Sequence, residues 1–152
     1  MKGLAFGILA VFTVAAAQGP QVTSRIELAS KFAKPGQILK GMIFLTVPEG
    51  YHAYAPSDEG ETYKVAIEAV EKATYKLGKI VYPKGLEKSF LGENHVVYEG
   101  TVKIPVEIAI PRRAKTKYAF KLNVKSQICS NDGMCLMPRT DELGGTVTIK
   151  AK

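Results

Sequence analysis

Cys129 and Cys135 are the only two cysteines of the chain, with five residues between them. Two thiols at that spacing can close a small disulfide ring, and such a ring either staples the fold or exchanges with other thiols. It makes a poor staple. By loop entropy, closing so short a loop stabilises by about 2 to 2.5 kcal/mol, against roughly 4 to 5 kcal/mol for a loop near 100 residues. An accessible short-loop disulfide exchanges readily, since an incoming thiolate must reach one sulfur along the S–S axis. Spacing alone leaves three states open: a redox-active pair, a structural hairpin bridge, or two free thiols.

The elements that must carry this pair can be read from alternation. Tyr118, Phe120, Leu122, Val124 and Ile128 recur with period two, while Lys121, Asn123, Lys125, Gln127 and Cys129 take the opposite register, the pattern of a half-buried strand. Cys129 is thereby expected on the polar, accessible face. Asp132-Gly133 is a turn dipeptide, so the chain is expected to reverse and return Cys135 towards Cys129 on a second strand. Met134, Leu136 and Met137 give Cys135 apolar surroundings suited either to a docking partner or to ordinary packing.

With 152 residues the chain fits one domain with an apolar core that needs no disulfide to hold it. Met1-Lys2 leads into an apolar run from Leu4 to Ala17, with Ala15 and Ala17 placed as signal peptidase expects. We read residues 1–17 as a signal peptide and 18–152 as the exported domain, the rival being a retained anchor. The run is short for a membrane span and no second stretch of that length follows, so no stable membrane insertion is expected after cleavage. Export places the cysteines in an oxidising compartment, where an unprotected pair closes unless something reduces it. In an exported protein, the formal charge of +7 points to solubility or to an acidic partner or membrane surface, not to nucleic acid. The densest basic cluster, Arg112, Arg113, Lys115 and Lys117, reads as a solvated turn between two strands.

The remaining chain alternates almost throughout. Strands are expected over Val22 to Phe32, Leu39 to Val47, Tyr63 to Ala69, Thr74 to Tyr82, Val102 to Ile110 and Thr146 to Lys150, punctuated by Pro35-Gly36, Pro48-Glu49-Gly50 and Pro83-Lys84-Gly85. Pro105 suits an edge or a bulge better than a central ladder. Leu86 to Asn94 follows neither period and reads as a loop, yet it holds Phe90 and Leu91, which must cover something. About eight short strands and no amphipathic helix imply an all-β fold, an immunoglobulin-like antiparallel β-sandwich with a cysteine-bearing hairpin.

Other chemistries fit poorly. Blue copper needs two histidines with a cysteine and usually a methionine, but His52 and His95 both precede the cysteines and no histidine follows them. Each histidine reads as a surface or satisfied strand residue. Structural zinc lacks ligands, so no metal and no cofactor is expected. No nucleophile-elbow serine, phosphate-cradling glycine loop or dinucleotide fingerprint appears.

The stretch Cys129-Ser-Asn-Asp-Gly-Met-Cys135 followed by Pro138, together with Gly50-Tyr51-His52-Ala53-Tyr54 and Phe90-Leu91-Gly92, resembles the N-terminal periplasmic domain of the transmembrane thiol:disulfide interchange protein DsbD. The likeness runs from about Val22 to Lys150. It implies an immunoglobulin-like sandwich with an inserted catalytic subdomain that passes electrons from a membrane reductant to oxidised thioredoxin-like proteins in the periplasm. It also implies that Cys135 forms the mixed disulfide and Cys129 resolves it, that Phe90, Leu91 and Gly92 form a cap loop whose Phe shields the sulfurs, and that Tyr51, Tyr54, Glu87, Asp132 and Pro138 support the site. Lys88 and Ser89 precede the cap Phe where the family is often acidic, which puts a carboxylate role for Glu87 in doubt. The sequence carries neither the membrane helices nor the thioredoxin-like domain of the full family protein, so the reductant is expected to be a separate polypeptide. The competing function is a secreted β-sandwich binding module whose hairpin disulfide is only structural.

Overall fold

Alternating side chains make nearly every element of this chain a strand. The computed structural model describes residues 19–150, so the expected signal peptide at 1–17 lies outside the described residues. Twelve strands follow in order: β1 Thr23–Leu28, β2 Phe32–Ala33, β3 Ile38–Thr46, β4 Tyr51–Tyr54, β5 Ala66–Ala69, β6 Lys76–Ile80, β7 Leu86–Phe90, β8 Glu93–Tyr98, β9 Thr101–Ala109, β10 Lys117–Ser126, β11 Ile128–Ser130 and β12 Arg139–Ile149. They form three four-stranded sheets, ordered β1-β3-β9-β6, β2-β12-β10-β5 and β11-β4-β8-β7. Every pairing is antiparallel except the short β2 against β12. The fold is all-β, as expected, and no described helix is long and apolar enough to cross a membrane.

One core joins the sheets. Leu39, Ile43, Leu45, Ile104, Val106 and Ile108 come from the first sheet, Phe120, Leu122, Val124 and Val147 from the second, and Ala53, Tyr98 and Ile128 from the third, all buried in a single cluster. On β3, β9 and β10 these residues recur at every second position, so one face of each strand is core and the other is at least partly wet. Tight packing selects a glycine at one cross-strand pair. Gly145 lies opposite Phe120, and a Cβ there would stand 2.7 Å from the ring.

Several expected boundaries shift for local reasons. The segment Val22 to Phe32 is two strands, because the chain leaves the first sheet after Leu28 and Phe32 joins β12. The last strand begins at Arg139, well before Thr146, through a full ladder with β10. Pro105 lies on an internal strand, opposite Met42 of β3; on its other side it falls just past Ile80, the last residue of β6, where Val81 N–H donates to Pro105 O at 2.9 Å, so it is the end of the neighbouring strand that accommodates the missing N–H. The segment expected as a loop, Leu86 to Asn94, is instead a hairpin made by β7 and β8. Alternation failed to mark it because Leu86, Glu87, Lys88 and Ser89 are all exposed on an edge strand.

Candidate redox site

The site begins where β10 ends. At Gln127 the chain leaves the second sheet, and Ile128 to Ser130 add an edge strand to the third. The turn that follows is closed by Ser130 N–H to Met134 O at 2.8 Å and Gly133 N–H to Ser130 O at 2.9 Å, while the Ser130 hydroxyl donates to the Asp132 carboxylate. Asp132 thus braces the turn. Gly133 has φ +98°, a conformation that L side chains rarely adopt. Beyond the turn the chain does not build the expected second strand. A single bridge joins Cys135 to Cys129, Leu136 N–H donates to Ile128 O at 2.9 Å, and the Gln127 amide donates to Leu136 O at 2.8 Å. Cys129 and Cys135 form a disulfide with an S–S distance of 2.01 Å.

The two sulfurs sit in different environments. Cys135 belongs to an exposed residue, whereas Cys129 is 1% exposed. The register was read correctly, since Cys129 does face away from the core that holds Ile128. The expectation of access was not, because that opposite face is roofed. In β4 the residues opposite Ile128, Cys129 and Ser130 are Ala53, His52 and Tyr51. Cross-strand neighbours share a face, so His52 and then Tyr54 lie on the Cys129 side, and Val97 joins them opposite Tyr54. Phe90 packs against the cluster of Tyr54, Val97 and Cys129, and its ring stacks on His52 with centroids 4.0 Å apart and planes 11° from parallel. Tyr54 meets His52 edge-on at 5.3 Å and His95 at 5.2 Å.

The roof is carried by the tip of the β7–β8 hairpin. Its turn consists of Leu91 and Gly92, with φ of 51° and 89°, the two positive values that a tight two-residue hairpin turn requires. Leu91 is 83% exposed, yet it lies against the cysteine turn: a Cβ on Gly133 would fall 2.7 Å from its Cδ1. The segment Phe90-Leu91-Gly92 therefore touches both the buried cluster and the turn between the cysteines.

The other singled-out residues divide between the faces. Tyr51 is half-buried and packs against the main core, away from Cys129. Glu87 is exposed, three positions before Phe90 and therefore on the opposite face of β7. Pro138 is exposed and lines a shallow groove with Val22, Ile128, Leu136 and Met137. Tyr54 is inside the site. Its phenol is pushed up to about 12, first by burial and then by the carboxylates of Glu61, Asp58 and Glu93.

Both histidines are buried strand residues, the second of the two alternatives expected and not the surface one. His52 Nδ1 bonds Asn131 Oδ1 at 3.1 Å, and His95 Nδ1 lies 3.4 Å from Asp58 Oδ2. Asp58 is itself buried and accepts from the backbone N–H groups of Gly60, Glu61 and Val96 at 3.0, 3.1 and 2.6 Å. Sequence reasoning weighed His52 and His95 only as metal ligands and passed over Asp58 and Asn131. One signal was available: once Tyr54 is placed in the site, His52 two residues earlier in the same strand must share its face. Among the described residues no group of three or more His, Cys, Asp or Glu is placed to hold a metal ion.

Comparison with known proteins agrees with this geometry. No curated protein matches the sequence. Among solved structures, the DsbD N-terminal domain of Neisseria meningitidis in its reduced form is similar at 21% identity and a TM-score of 0.50, over 85% of this chain and 90% of that one. The N-terminal periplasmic domain of ScsB from Proteus mirabilis is similar at 14% identity and a TM-score of 0.59, over 86% of this chain but 48% of that one. At these identities the two structures speak to the fold alone. Residues 20–145 match the family described as the N-terminal part of the thiol:disulfide interchange protein DsbD, and with that match over most of its length the chain belongs to the DsbD N-terminal domain family, a family of thiol:disulfide exchange.

Proposed function

We propose that this domain works outside the cytoplasm as an electron relay, taking electrons from a membrane reductant and handing them to oxidised thioredoxin-like proteins through Cys129 and Cys135. The observation that carries this reading is the asymmetry of the pair, one sulfur on an exposed residue and one under Phe90. Exchange proceeds by attack of a thiolate on one sulfur and departure of the other. A donor thiolate attacks Cys135 and the Cys129 thiolate leaves; the donor's second thiol then resolves the mixed disulfide. In the onward step the Cys135 thiolate attacks the acceptor disulfide, and Cys129 displaces the acceptor by rebuilding the internal S–S bond. Exposed Leu91, Met134 and Met137 give the partner an apolar rim around Cys135. Phe90 with Leu91 and Gly92 is the shield that a docking partner moves. The apolar leader at residues 4–17 and the periplasmic setting of the ScsB domain support export.

The assignment is tested by trapping. Cys129→Ser, which leaves the attacking thiol without its resolving partner, accumulates a covalent complex with thioredoxin-like proteins, visible on a non-reducing gel and lost on reduction. Cys135→Ser accumulates none. Trapping by Cys135→Ser alone reverses the roles, and trapping by neither leaves the disulfide a structural one.

A further inference from the structure

His52 is buried on the redox face with a nitrogen that the oxidised protein leaves idle. It stands directly opposite Cys129 in the β4–β11 ladder, and each of the two residues is 1% exposed. Side chains in that relation point the same way, with Cβ atoms about 4.5 to 5.5 Å apart. Asn131 Oδ1, 3.1 Å from Nδ1, can only accept, so Nδ1 carries the ring proton and Nε2 of the neutral ring holds the lone pair. Nε2 is buried and has no hydrogen-bond partner. An acceptor left bare inside a protein is costly unless some state of the molecule supplies its donor. Reduction supplies one, since it turns the Cys129 sulfur into a thiol on the same face.

We propose that His52 Nε2 accepts the Cys129 proton when that cysteine acts as the resolving nucleophile, an inference that rests on the relay reading above. Burial disfavours a thiolate, so a thiol roofed by Phe90 needs a base close at hand. With Cys135 joined to the partner's sulfur, the Cys129 thiol passes its proton to Nε2. The electron pair on Cys129 then forms the bond to the Cys135 sulfur. The bond from Cys135 to the partner breaks, its electron pair leaves on the partner's sulfur, and that thiolate is protonated by the imidazolium or by solvent. The partner's disulfide gains two electrons and the domain's dithiol loses two, with no outside oxidant.

The groups around the ring suit a transient positive charge. Tyr54 lies beside it on β4, Phe90 and Lys88 face it from β7, and His95 and Glu93 from β8. Asp58 and Glu61 approach from the loop after β4, and Asn131 and Asp132 belong to the cysteine turn. Lys88 is paired with Glu99, while Asp58, Glu61 and Glu93 cluster on the Tyr54 and His95 side.

The test uses the reduced protein and 5,5′-dithiobis(2-nitrobenzoate) as a small oxidised partner. Release of the first thionitrobenzoate reports attack by Cys135, and release of the second reports resolution by Cys129, the intermediate being identified by its mass. His52→Gln is expected to slow the second release about 100-fold near pH 7 while the first stays within about threefold, and the gap should narrow steadily as the pH rises and more of the buried thiol ionises unaided. Asn131→Ala, which frees the ring without removing it, should slow the second release less. Should His52→Gln fail to fold, the imidazole ¹⁵N spectrum of the unaltered protein decides: Nε2 of His52 must change from bare to hydrogen-bonded or protonated on reduction, and an unchanged signal overturns the proposal. Equal second-phase rates with and without His52 at every pH overturn it and leave the relay reading standing. A protein with both cysteines reduced that releases no second thionitrobenzoate overturns both.

Discussion

The two faces of the β11-β4-β8-β7 sheet are both covered, and they are covered by different chemistry. The inner face presents Ala53, Tyr98 and Ile128 to the common core. The outer face presents Cys129, His52, Tyr54, His95 and Val97, covered by one half-buried ring, Phe90, at the end of β7. Burial on the inner side is apolar contact and stabilises the fold. On the outer side it is aromatic and ionisable, and in the relay proposed above it governs who reaches a sulfur and which proton moves. One sheet thus divides stability from reactivity by strand alternation alone.

The largest expected departure comes from the inner face. Ile128→Ala should cost about 2 to 5 kcal/mol in a denaturant titration of the oxidised protein, as deletion of buried methyl groups does. The protein that remains folded should exchange at the unaltered rate; a large change in sulfur reactivity would break the division between the faces. Phe90→Ala acts on the other side. Alkylation of the reduced pair by a small reagent should speed up about tenfold, because access limits thiol chemistry alongside thiolate fraction. An unchanged rate would mean that the hairpin backbone, not the ring, is the shield. Gly133→Ala puts a Cβ at φ +98° and into Leu91, so a loss of about 1 to 2 kcal/mol is expected together with a loosened roof. Calorimetry and the same alkylation assay measure the two effects.

The smallest effect distinguishes two phenols. Tyr98 on the inner face and Tyr54 on the outer face are both pushed up to about 12, Tyr98 by burial and then by Tyr82, Tyr54 by burial and then by Glu61, Asp58 and Glu93. A phenol held above its unfolded value of about 10 adds stability that is complete below pH 10 and is lost as the pH rises through 12. Tyr54→Phe should therefore flatten the alkaline loss of stability in that window. Added salt should lower the Tyr54 value, whose carboxylate part is screened, and leave Tyr98 nearly unmoved; ultraviolet titration reads both.

Legibility in the sequence followed the same division. The strands β3, β9 and β10 have one dry and one wetter face, so period two shows in their residues and the sandwich could be read from them. The cysteine turn was marked by Asp132-Gly133. The hairpin β7–β8 was hidden because its edge strand is exposed on both sides, and because Leu91 takes a positive φ that its type does not favour. The buried histidines were hidden for another reason. Their partners stand far off in the chain, Asn131 for His52 and Asp58 for His95, so nothing local distinguishes them from surface residues.

Ile128 and Cys129 are consecutive, one packed in the core and the other holding a sulfur of the exchanging pair. A peptide bond therefore ties the cysteine strand to the packed core, where opening is expected to be slow. Breaking the disulfide should leave the β11 amides as protected from hydrogen–deuterium exchange as those of β4 beside them. The amides gaining freedom on reduction should be those from Asn131 to Pro138 and at the Leu91-Gly92 tip. In the relay proposed above, each redox cycle would flex a short surface arm against a fixed post, and the domain would turn over without passing through a partly unfolded, aggregation-prone state.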